Sequence, residues 1–135
     1  MIDVHSHILP GVDDGASDMK ETIEMLKYAI NDGITAFIAT PHYHLGRRVA
    51  SCDQIEKAYS AVLYEVEKQH LPIQIFLGNE IFCSDTAIEN ISKKKVHTMH
   101  GTRYILLEFH PGHSYREIRH GILFLINQFY YHPFS

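Results

Sequence analysis

Cysteine is scarce in this sequence: Cys52 and Cys83 are the only two in 135 residues, and they lie in separate segments without metal-type spacing. That excludes a disulfide framework and suits a reducing, cytoplasmic compartment. Neither is followed by arginine six positions on, Ala58 and Glu89 standing there, so the loop of a cysteine-dependent phosphatase is absent. Long apolar runs are also lacking. The longest, "ILFLI" at 122–126, is too short to cross a bilayer, and no basic-then-apolar leader opens the chain, so membrane insertion is not expected. Nor is positive charge in excess: 12 basic against 16 acidic side chains give a net −4, and only Lys93-Lys94-Lys95 cluster, which leaves no footprint for nucleic acid. With no Walker loop, G-x-G-x-x-G or G-x-S-x-G, nucleotide binding and serine hydrolysis drop out as well.

What is present is histidine, 11 of the 135 residues, in a chain that is 45% hydrophobic and the length of one ordinary domain. Periodicity predicts a short strand at 2–5 and an amphipathic helix at 18–32 carrying Met19, Ile23, Leu26 and Ile30. Asp18 with Glu21 reads as a capping-box variant, and Gly33 as the stop. "ITAFIAT" at 34–40 reads as a buried strand closed by Pro41. A second helix runs from about 53 to 70, ahead of Pro72, with Ile55, Tyr59, Val62, Leu63 and Val66 inward. Strands at 73–78 and 103–109, a short helix at 85–91, and a last helix opened by Ser114 and Glu117, carrying Ile118, Ile122, Leu125 and Ile126, complete the pattern. Four successive strand-then-helix units predict a parallel α/β fold. At roughly 30 residues per unit they consume the chain, whereas a closed β/α barrel takes about 250 residues. The expectation is therefore a small open sheet or part of something larger.

The strands share one property. His5 and His7 lie at the C-terminal end of the first, His42 after the second, Glu80 after the third and Glu108 at the end of the fourth. In β/α architectures that edge is where sites are built. His5 and His7, two apart on an extended segment, face the same way, and imidazole suits a transition metal. Glu80 and Glu108 add carboxylates able to bridge two ions. Asp13 and Asp14 follow the Pro10-Gly11 turn, in a loop placed to fold over the mouth. Each piece has an ordinary reading on its own: a hydrogen-bonded His pair, an Asp-Asp-Gly turn, a buried salt bridge. The conjunction points to metal.

The stretches "MIDVHSHILPGVDDGA", "GITAFIATPHYHLG", "LGNEIF" and "RYILLEF" resemble, in order, motifs of the polymerase and histidinol phosphatase (PHP) superfamily. More narrowly, they resemble its manganese-dependent bacterial tyrosine-protein phosphatases of capsule and exopolysaccharide synthesis. The resemblance covers residues 1–128 and implies the N-terminal four βα units of a distorted (β/α)7 barrel, incomplete here, with 129–135 an atypical tail. It further implies up to three Mn2+ ions: one on His5, His7 and Glu80, a second bridged by Glu80 to Glu108, a third on Asp14 and His42. The implied reaction is phosphomonoester hydrolysis by metal-activated water, and the implied partner is the phosphotyrosine tail of a bacterial tyrosine kinase. Arg47 and Arg48, after His42, are candidates to clamp the phosphate, since guanidinium suits bidentate phosphate contacts. His44 is similarly placed, whereas His70, His97, His100, His110, His113, His120 and His132 read as structural or surface residues.

The family's later His-Pro-Glu-Arg-like and Ser-Asp-x-His motifs are missing, "FYYHPFS" standing where a strand is expected. The chain is therefore expected to be an N-terminal piece. Two alternatives follow: a non-catalytic fragment that self-associates through an exposed sheet edge, and another phosphoesterase of the superfamily, such as a histidinol-phosphate phosphatase.

Overall fold

Two parallel three-stranded sheets frame the fold in the computed structural model, which describes residues 1–45, 50–93 and 95–131, with the last helix's side chains to residue 127. The first sheet has the order β1 (Ile2–Ser6), β2 (Ala36–Ala39), β4 (Gln74–Leu77); the second has β3 (His42–Tyr43), β5 (Glu80–Phe82), β6 (Leu106–Glu108). Four helices intervene: α1 (Met19–Asn31), α2 (Cys52–Lys68), α3 (Asp85–Ser92) and α4 (Tyr115–Tyr131). The expected parallel α/β arrangement is observed, with one correction: the second and third strands are each broken in two. Pro41, which has no N–H to give a ladder, interrupts the first of these, and Gly78-Asn79 the other. Backbone bonds knit the halves together, from Thr40 N–H to the Ser6 carbonyl, Gly78 N–H to that of Ala39, and Glu80 N–H to that of Pro41.

β1 carries a further irregularity. Asp3 pairs with Phe37 and Ser6 with Ala39, so Val4 and His5 together stand opposite Ile38 alone, as in a β-bulge. His5 thus stands in the bulge, and His7 follows the end of the strand.

The helices form for local reasons. At α1, Asp18 caps by accepting from Glu21 N–H, but the Glu21 carboxylate reaches back to Ser17 N–H and Oγ rather than to the cap itself, shifting the expected box by one residue. Thr22, Ile23, Leu26 and Ala29 are its buried positions, and Gly33, at φ +80°, takes the left-handed turn that ends it. Ser51 and Gln54 close a reciprocal capping box on α2, which buries Ile55, Val62 and Val66. Leu63 is a correction, lying to the side of that stripe and 38% exposed. On α4, among the side chains described, Gly121 is buried against Cys83 and Phe109 and Leu125 packs on the smaller of the two cores, whereas Ile122 and Ile126 turn outward, contrary to expectation.

One core lies between the first sheet and α1 and α2, around Leu26, Phe37, Ile55, Val62 and Ile75. A smaller one joins β5 to α3 around Ile81, Ala87 and Ile91. At about 25 cal/mol per Å² of apolar area, these cores supply the main force holding the strand ends in place. Among the described residues no helix is long and apolar enough to cross a membrane.

Candidate metal centre

The broken strands bring the ligand-type residues together. His42 and Glu80 are direct partners in the β3–β5 ladder, and Glu108 pairs with Phe82 in β5–β6. Parallel partners point to the same face, so His42, Glu80 and Glu108 converge, and His5 and His7 reach the same point from β1. The sequence reading puts His42 and Glu80 beyond strand ends; both lie inside the second, short strand segments.

Glu80 is the hub. Its residue is 8% exposed, and its carboxylate lies 3.2 Å from His5 Nε2, 3.3 Å from His7 Nε2 and 3.1 Å from His42 Nδ1. Its ion-pair partners among the described residues are imidazoles alone, and a buried carboxylate needs strong compensation. His5 Nε2 and His7 Nε2 are themselves 3.3 Å apart. His42 links onward, with Nε2 at 3.3 Å from the exposed Asp14 and Nδ1 at 3.7 Å from Glu108. Three overlapping triads result, each with ligand atoms within 4.8 Å of one another: His5-His7-Glu80, His7-Asp14-His42 and His42-Glu80-Glu108. Imidazole nitrogen mixed with carboxylate oxygen is the donor set of a divalent transition metal, so these residues fit such an ion.

Two residues that the sequence reading does not count among the ligands hold this cluster: Asp13, expected only in a loop over the mouth, and Asn79, not singled out at all. Asp13 accepts from His7 Nδ1 at 2.8 Å and from the backbone N–H groups of Gly15 and His42. Its hydrogen bond is the main cause that raises the His7 pKa above 6.5, against the opposing effect of burial. Burial pushes the Asp13 carboxyl up, but the bonds from His7, Gly15 and His42 together outweigh it and leave the pKa below its ordinary value. Asp13 is thus a positioning residue for an imidazole, the usual outer partner of a ligating histidine. Adjacent aspartates do not reveal from sequence which one turns inward.

Asn79, 1% exposed, donates from Nδ2 to the Pro41 carbonyl at 2.9 Å and accepts the His97 N–H at 3.0 Å. It clamps the residues just before His42 and Glu80 to the loop ahead of β6. An asparagine between the apolar "IFLG" and the candidate ligand Glu80 is the signal that could have identified it.

Of the other expected site residues, Arg47 and Arg48 lie outside the described residues, as does His132. His44 stacks on Phe82 with ring centroids 4.1 Å apart. His97 is half-buried, 3.6 Å from Glu56, and desolvation lowers its pKa. His100 stacks on Phe76.

Comparison with known proteins finds relatives over most of the chain. Tyrosine-protein phosphatase YwqE of Bacillus subtilis is 34% identical over 113 residues, 84% of this chain and 44% of the relative. Putative tyrosine-protein phosphatase CapC of Staphylococcus aureus is 36% identical over 110 residues, covering 81% and 43%. CpsB of Streptococcus pneumoniae, a tyrosine-protein phosphatase, is 31% identical over 122 residues, covering 90% and 50%. The chain thus spans about half the length of the curated relatives it matches. A chain from the crystal structures of YwqE from Bacillus subtilis and CpsB from Streptococcus pneumoniae, metal-dependent tyrosine phosphatases, superposes with a TM-score of 0.85 at 32% identity, over 95% of this chain and 52% of that one. Residues 1–133 match the family model for capsular polysaccharide synthesis, CpsB/CapC, and the chain belongs to that family.

Proposed function

We propose that this chain carries the metal-binding half-site of a cytoplasmic, manganese-dependent protein-tyrosine phosphatase acting in capsular or exopolysaccharide synthesis, on the phosphotyrosine tail of a bacterial tyrosine kinase. The observation that carries the reading is the sharing of Glu80 among His5, His7 and His42, flanked by Asp14 and Glu108. In this reading, residues 1–128 are the first four βα units of a (β/α)7 barrel. His5, His7 and Glu80 hold one ion, Glu80 and Glu108 a second with His42 in reach, and Asp14 and His42 a third with His7 in reach. Bound there, divalent ions supply Lewis-acid activation of water and neutralisation of phosphoryl charge. The chain's own contribution is to fix the ligands: Asp13 sets the orientation of His7, and Asn79 sets the approach to Glu80. Arg47 and Arg48 are the phosphate clamp on sequence grounds.

The test is Mn2+-dependent release of phosphate from a phosphotyrosine peptide, with Glu80→Ala as control. Activity that is lost in the control supports the reading. Activity equal to the control refutes turnover by this chain.

A second reading has its own observation. β1 and β6 each have a single strand neighbour among the described residues, and Ile2 and Val4 on β1 are 60% and 53% exposed. An unpaired, apolar edge strand favours a metal-binding chain that self-associates rather than turning over. A concentration-dependent dimer in sedimentation, without hydrolysis, is its expected signature.

A further inference from the structure

Beside the carboxylate hub lies an aromatic wall that metal binding does not require. Phe82 is two residues after Glu80 on β5, so the two side chains share a face, with the fully buried Ile81 turned to the opposite one. It is also the direct ladder partner of Glu108, about 4.8 Å away across the strands. Phe82 is nevertheless only partly buried. The His44 ring lies against it at 4.1 Å, tilted by 32°, and its orientation is fixed by a hydrogen bond from Nδ1 to the Leu45 carbonyl at 2.9 Å. His113 flanks it at 6.1 Å and continues the wall to Phe109 at 6.3 Å. On another side the cluster meets the loop of Asp13 and Asp14, whose carboxylates suit cations and not a hydrocarbon ring.

We propose that Phe82, framed by His44 and His113, is the seat of the substrate's aromatic ring and makes this site selective for aryl over alkyl phosphates. The inference rests on the phosphatase reading above and names the residues that choose its substrate. In an aryl phosphate the ring begins one bridging oxygen from phosphorus. With phosphate at the Glu80–Glu108 edge, the ring must therefore lie next to that edge, where Phe82 stands only partly buried. Offset or edge-to-face contact between aromatic groups is favourable beyond plain burial. An alkyl phosphate places a narrow chain there and gains little.

The experiment uses the Mn2+-loaded chain and two non-hydrolysable probes: benzylphosphonate, whose CH2 stands for the bridging oxygen, and ethylphosphonate. Binding is read by calorimetry, with Mn2+ affinity as the check that each variant is folded. The wild type should prefer benzylphosphonate. Phe82→Leu should cut that preference by roughly 2- to 12-fold, with ethylphosphonate moving less than about twofold, and Phe82→Tyr should restore it. A preference untouched by Phe82→Leu overturns the proposal, as does equal weakening of both probes, which would mark Phe82 as a mere support for the cluster. If the wild type binds Mn2+ but neither phosphonate, the phosphatase reading itself fails, and this inference fails with it.

Discussion

Replacing Asn79 with alanine removes a side chain that has no contact with substrate in this account, yet both fold and site should register the loss. The Pro41 carbonyl keeps its second donor, the Glu80 N–H at 3.1 Å, so that loss costs only an ordinary net hydrogen bond, about 0.5–1.5 kcal/mol. The part-buried His97 N–H loses its acceptor, and a buried donor left unsatisfied costs about 1–3 kcal/mol. The sum is about 1.5–4.5 kcal/mol, a large share of the roughly 5–15 kcal/mol that holds a typical domain. Urea denaturation followed by circular dichroism, in chelator, should show a lowered midpoint with unchanged m. Mn2+ affinity, measured under conditions where the variant is folded, should fall by roughly 10-fold, the lower end for a residue that orients ligands from behind. A loss below about 1 kcal/mol would refute the hydrogen-bond reasoning. Unchanged metal affinity in a folded variant would detach Asn79 from the site.

Three further outcomes follow from the geometry. Asp13→Ala should weaken Mn2+ binding by roughly 10- to 100-fold in calorimetry, because His7 loses the partner that sets its ring; no change would make Asp13 a loop residue only. Gly15→Ala should destabilise the chain by about 1–3 kcal/mol in the same urea assay, since a methyl there overlaps the carbonyl oxygen and Cβ of His7, which are not free to swing away. The depressed His97 pKa, caused by desolvation and partly offset by Glu56, gives stability a slope at mildly acid pH. Its contribution is complete above 6.5 and is lost as pH falls from there through the lower folded-state value, because the unfolded chain takes the proton first. His97→Gln should flatten that window in pH-dependent denaturation, and a slope that persists would exclude His97 as its source.

The gathering of ligand-type residues is legible because strand ends are easy to read: "IDVH", "AFIATPH", "IFLGNE" and "ILLE" are mainly apolar runs that stop at a donor residue. The helices are legible from their period, apart from Leu63 on α2 and from the last helix, where Gly121 faces inward and hydrophobicity alone points to Ile122 and Ile126 as well as Leu125. The breaks in the two middle strands were less visible. Pro41 signals an end, and nothing local says that pairing resumes at His42 once Glu80 is available as a partner. The bulge in β1 is a matter of register with β2, which a single strand does not encode. Asp13 and Asp14 are chemically identical neighbours. Only the tertiary position of His7 and of the His42 N–H separates the buried one that orients from the exposed one that can ligate.

The central claim is that Glu80 and the imidazoles around it form a divalent-metal centre. Titrating Mn2+ into the metal-free chain and into Glu80→Gln by calorimetry tests it most directly. The wild type should bind saturably, with at least a roughly 10- to 100-fold loss in Glu80→Gln, since that carboxylate belongs to two of the three triads. Superimposable isotherms for the two proteins would contradict it.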